Sequence, residues 1–131
     1  MSKRGWHGFK VPRKDSDGNE LAPTTVQAKT LWLEVPGTGI EVKFALHKAI
    51  DLNTEFLQLT HYASGLWVTN LGDESYITGL TDDRALAQSA LKRLVDRHGA
   101  DEVLRRMREA PELNEPHKER KTRRKHHGEA A

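Results

Sequence analysis

The chain has 131 residues, room for one domain, with 36% hydrophobic and 31% charged side chains. That balance excludes a wholly disordered chain but leaves a good part of it outside any core. With no cysteine, disulfides, thiolate metal sites and cysteine nucleophiles are excluded, which fits a reducing compartment. No run of about 18 apolar residues exists, so no transmembrane helix and no membrane partner are expected. Lys3 and Arg4 are not followed by the apolar core of a signal peptide, and a cytoplasmic location is the expectation.

The net charge of +2 is unevenly distributed: residues 1–25 carry +2, residues 26–110 carry −2 and residues 111–131 carry +2. A body that reads duplex DNA with its fold usually has a clustered basic face. Here the positive balance belongs to the ends.

Residues 1–28 lack apolar periodicity, and Asp15-Ser16-Asp17-Gly18-Asn19 reads as a turn or flexible loop. Strand patterning begins with Leu31, Leu33 and Val35 on one face. Pro36-Gly37-Thr38-Gly39 is a hairpin turn, and Ile40, Val42, Phe44 and Leu46 alternate after it. A third strand is expected over Glu55–Tyr62, with Leu57, Leu59 and His61 on one face, and a short fourth over Leu66–Thr69. Tyr76–Leu80 reads as a fifth strand or a lead into a helix. Thr81, Asp82 or Asp83 can cap that helix, whose stripe runs Leu86, Ala87, Ala90, Leu91, Leu94, Val95 and which Gly99 can stop. A second, shorter helix starts near Asp101, uses Val103, Leu104 and Met107, and ends at Pro111.

The fold expected is therefore α+β. A small antiparallel meander of four or five strands is covered by the amphipathic helix and the shorter second one. The expected organisation is a flexible basic arm over 1–28, the α+β domain over 29–110 and a disordered basic tail over 111–131.

Most of the candidate chemistry lies in the tails. Residues 117–127 hold six Lys or Arg, three His and one Glu. Lys118, Arg120, Lys121, Arg123, Arg124 and Lys125 are suited to salt-dependent phosphate contacts, and equally to a solvated tail. In the arm, Lys3, Arg4, Trp6, Phe9 and Lys10 interleave cations with aromatics, the composition of a stacking platform. The same two aromatics are equally suited to anchoring the arm in a groove. His61 and Ser64 lie close enough to suggest a base and a nucleophile, but the sequence shows neither an orienting third group nor an oxyanion site. A partly buried, hydrogen-bonded His61 is the better reading.

The seven histidines show no HExxH spacing, and no metal or cofactor is called for. The helix pair joined at Gly99 has the outline of a helix-turn-helix, with Arg105, Arg106 and Arg108 available for phosphates. The first helix is too long for that motif. Trp32 and Trp67 each stand opposite the more apolar face of their strand, and the favoured reading buries both in the core rather than in an exposed patch.

The stretch Leu59-Thr60-His61-Tyr62-Ala63-Ser64-Gly65-Leu66-Trp67-Val68, with the Ala-rich helix from Arg84, resembles small uncharacterised proteins of bacteriophages and mobile elements. These have a TH-x-x-SG hairpin leading into an amphipathic helix. The resemblance spans residues 55–98. It implies a compact sheet-plus-helix domain in a phage accessory context and brings no catalytic residues with it.

The expected function is a non-enzymatic binding protein that engages a host or phage protein, with the basic tails aiding contact to an anionic partner. The alternative is a nucleic-acid-binding protein whose tails contact phosphates. An unpaired sheet edge also offers a second copy a place to pair, making a homo-oligomer.

Overall fold

The computed structural model describes residues 5–48 and 57–122. The elements in chain order are β1 (Trp6–Lys14), β2 (Glu20–Val35), β3 (Ile40–Lys48), β4 (Leu57–His61), β5 (Trp67–Asn70), α1 (Gly72–Thr78), α2 (Asp83–His98), α3 (Ala100–Glu109) and β6 (Glu119–Lys121). The strands form one antiparallel sheet in the order β1-β2-β3-β4-β5. The short β6 pairs with Ile40–Val42 of β3, while β4 pairs with Phe44–Lys48. Since β2 occupies the whole of β3's other edge, β4 and β6 lie end to end along the same one.

The α+β class and the meander agree with the sequence, but the boundaries differ at both ends. Residues 6–14 are not a loose arm. They form β1, joined to β2 by a tight turn in which the Asp15 carboxylate accepts the backbone N–H groups of Asp17 and Asn19, each at 2.9 Å. The periodicity is silent here because, among the described β1 side chains, all but Phe9 are exposed or half-exposed. Backbone pairing builds this strand, and apolar alternation does not report it. Residues 111–122 likewise leave the expected tail to pack back on the sheet and end in β6. Tyr76–Leu80 is no strand: α1 covers Gly72–Thr78 and ends at Gly79, whose φ of 75° only glycine adopts freely.

Two cores lie on opposite faces of the sheet. The larger packs Leu33, Phe44, Leu46 and Leu59 against Leu91 of α2 and Met107 of α3. Asp82 starts α2 by accepting the Ala85 N–H at 2.9 Å, and Gly99 separates α2 from α3. The smaller core, on the other face, holds Phe9, Ala28 and Ala45, with Val11, Val26 and Tyr62 packed around them. The 16-residue β2 serves both: its first half pairs with β1 and its second with β3.

Candidate binding surface

The polar groups that hold the sheet together limit which surfaces remain accessible. Lys10 of β1 gives its N–H to Asn114 Oδ1 and receives Asn114 Nδ2–H on its carbonyl, both at 2.9 Å. The same amide nitrogen donates to the Tyr62 carbonyl at 3.1 Å. Asn114 thus makes the two bonds a neighbouring strand would make and ties β1 to the end of β4. The backbone N–H groups of Leu113 and Asn114 both donate to the Ala63 carbonyl. Gly65 is pressed into this junction: a Cβ there would lie 2.5 Å from Pro12 Cδ and 3.0 Å from the Lys10 carbonyl, and its φ is 76°.

Beside this junction runs a chain of hydrogen bonds: Ser64 Oγ to His61 Nδ1 at 2.7 Å, His61 Nε2 to His117 Nδ1 at 2.9 Å, and His117 Nε2 to Glu119 Oε2 at 2.6 Å. With both rings neutral, one arrangement satisfies every atom. Glu119 accepts the His117 Nε2–H, His117 Nδ1 accepts the His61 Nε2–H, and His61 Nδ1 accepts the Ser64 hydroxyl proton. The Ser64 oxygen in turn accepts the Leu66 N–H at 3.0 Å. Burial lowers the His61 pKa to about 4, with the His117 charge adding to the effect. The Arg108 guanidinium lowers Glu119 to about 2, with its hydrogen bond as the largest cause. The orienting group that the sequence does not reveal is thus His117, 56 positions from His61. Ser64 is 3% exposed, however, and its oxygen is engaged. The chain pins the β4–β5 turn to the segment leading into β6.

The residues singled out in the sequence are placed as follows. Lys3, Arg4, Arg123, Arg124 and Lys125 lie outside the described residues. Phe9 is 1% exposed and is a core residue, not a stacking platform, because β1 lays it between Tyr62 and His47 with ring centroids 5.0 and 5.8 Å away. Trp6 is half-buried at the head of β1, opposite Lys29. The Lys10 side chain is exposed, while its backbone meets Asn114. Lys118 lies 3.6 Å from Glu115, which also pairs with Lys43. Arg120 pairs with Glu41 at 2.6 Å and lies over the Trp32 ring at 4.2 Å. Lys121 is exposed on β6. The structure therefore joins arm and tail at Lys10 and Asn114 and offsets several of their cations with nearby carboxylates. The helix-turn-helix arginines are similarly engaged: Arg105 and Arg106 with Glu102, and Arg108 with Glu119.

The sequence misplaces Trp67. It is 55% exposed, at the start of β5, where the sheet ends. Its indole N–H donates to Asn70 Oδ1 at 3.2 Å. Trp32, the other tryptophan read as core, is half-buried under Arg120 instead of under a helix.

Two clefts meet at Trp67 and Leu94. One, of about 380 Å³, lies between β5, α2 and α3 and is lined by Leu66, Val68, Val103 and Met107. The other, of about 280 Å³, runs toward α1 past Thr69, Ile77, Arg93 and Arg97. Ile77, which lines it, is 60% exposed, and its near neighbours in the chain, Tyr76 and Leu80, are 94 and 37% exposed. The clue in the sequence was the position of Trp67 opposite the apolar face of its strand.

Buried Glu74 links α1 to α2: it accepts Arg93 Nε–H at 2.8 Å and the Ser89 hydroxyl, and the Arg93 hydrogen bond holds its carboxyl below the ordinary range. No helix among the described residues is long and apolar enough to cross a membrane. Comparison of the chain with protein-family models, curated proteins and solved structures gives no match.

Proposed function

We propose that the chain is a non-enzymatic binding protein that engages a host or phage protein through the surface around Trp67. The phage context and the bacterial cytoplasm, implied by the resemblance at the β4–β5 hairpin, belong to this proposal. The observation that carries it is the exposed Trp67 at the end of the sheet, which lines an apolar cleft and shares a second cleft with exposed Ile77. Contiguous exposed apolar surface is costly to keep in water and tends to mark a contact site. The burial of Ser64 and the engagement of its oxygen by Leu66 support a reading without catalysis. The basic tails add long-range attraction to an anionic partner.

The test is capture of partners from bacterial lysate treated with nuclease, comparing the full chain with Trp67→Ala. The expected result is a protein partner that survives nuclease and is lost with Trp67→Ala. Nucleic-acid binding through the tails is favoured by one observation: exposed Lys121 on β6 leads directly into the run Arg123, Arg124, Lys125. Under that reading nuclease releases the partner, and affinity for random DNA or RNA falls steeply with salt.

A further inference from the structure

We infer that the groove along β5 takes an extended peptide segment that adds to the sheet as a further strand, with a large apolar side chain and a carboxylate two residues apart. This rests on the binding reading above and names its ligand. The backbone register supplies the first part. Leu71 N–H donates to the Leu57 carbonyl, and Thr69 stands opposite Leu59, so residues 69 and 71 turn their backbone groups toward β4. In an extended strand the alternate residues turn theirs the other way. The N–H and C=O groups of Asn70 therefore face outward, as do those of Trp67, because the His61 N–H donates to the Leu66 carbonyl; Val68 is the extra residue at a bulge between them, and no described strand lies on that side. An edge of this kind is a template for strand addition.

The clefts supply the side-chain pattern. Residues i and i+2 of an added strand project to the same side, about 6.7 Å apart. The larger cleft, walled by Leu66, Val68, Val103 and Met107, is mostly apolar and fits one large side chain; of its polar lining, Glu102 and Arg106 offset each other at 2.9 Å. The neighbouring cleft offers Arg93 and Arg97. Arg93 is offset by Glu74, whereas Arg97 has no ion pair among the described residues, so the site holds one uncompensated cation for a ligand carboxylate. Trp67 stands between the two clefts, where it packs against the ligand backbone. Charge thus selects an acidic segment. A second copy of this chain would bring β5 itself, Trp-Val-Thr-Asn, which carries no carboxylate.

The probe is the fluorescein-labelled peptide GTDTFTDTG, whose Phe has an Asp two residues away on each side and so satisfies the pattern in either strand direction. Titration by fluorescence anisotropy is expected to show binding that weakens at least tenfold with Trp67→Ala and with Arg97→Glu. The same loss is expected when the Thr residues flanking Phe are N-methylated, which removes ladder donors and leaves the side chains in place. Circular dichroism of both variants controls for folding, and both positions are exposed. Amide shifts concentrated at Trp67 and Asn70 would support strand addition. Failure of the peptide to bind, or binding indifferent to N-methylation or to Arg97→Glu, overturns the inference. So does sedimentation showing a dimer lost with Trp67→Ala, which assigns the edge to a second copy. If the peptide fails while lysate capture still depends on Trp67, the binding reading stands and only its ligand is wrong.

Discussion

Strand β1 closes the sheet on one side and β5 on the other. At β1, Asn114 occupies backbone groups of Lys10 and the β4–β5 turn presses Gly65 against Pro12. At β5, the outward backbone groups of Trp67 and Asn70 meet no described strand, and the Trp67 ring and an apolar cleft lie beside them. Unpaired edges invite association, and proteins usually cover or charge them. This chain uses its C-terminal segment to bond the β1 edge at Lys10, and no described strand pairs with the outer side of β5. The difference makes the segment from Pro111 to Lys121 part of the fold and β5 the edge on which the proposed binding rests.

The largest expected effect comes from breaking the covered side. Gly65→Ala forces a side chain into a positive-φ position and into the Pro12 ring. Denaturant unfolding should show a loss of about 3 kcal/mol, combining backbone strain with overpacking. Because its pKa falls from 6.5 to about 4 on folding, His61 is protonated first in the unfolded chain. Its contribution to stability is complete above the unfolded value and is lost as pH falls toward the folded one. Urea unfolding between about pH 7.5 and about pH 5 should lose about 2 kcal/mol from this residue. His47, also buried and shifted down, adds in the same direction, and Glu119, whose lowered pKa matters only below the ordinary carboxylate range, adds little there. A His61→Gln chain should show a shallower dependence; an unchanged slope would mean that His61 does not titrate as its burial implies.

Smaller effects sharpen the contrast. Asn114→Ala removes three hydrogen bonds at the covered edge, where water can reach part of the junction, and should cost about 1–2 kcal/mol. Hydrogen exchange of the Lys10 amide should speed up in the same variant. Asp82→Ala, far from either edge, removes the α2 cap and should cost about 1 kcal/mol in thermal unfolding. Trp67→Ala should change stability by no more than about 0.5 kcal/mol, because the ring is mostly in water. A large loss there would mean that the ring is structural and would undercut β5 as the working edge.

Local chemistry alone determined much of this protein. The Leu31–Val35 and Ile40–Leu46 alternation, the turn at Gly37 and Gly39, the stripe on α2, its cap at Asp82 and the stop at Gly99 all express preferences acting over a few residues. The α+β class follows from them, as does the place of His61 on the apolar face of its strand. Tertiary structure alone decided the rest. β1 is held by backbone bonds to β2, which leave little trace in a strand whose side chains mostly face water. β6 and Asn114 gain their roles from partners some 80 to 100 positions away, as Arg120 does with Glu41 and Asn114 with Lys10. His117 and Glu119 join His61 for the same reason. Whether Trp67 is core or surface depends on strand order: opposite the apolar face in sequence, it is exposed because β5 is the last strand and no described element covers it.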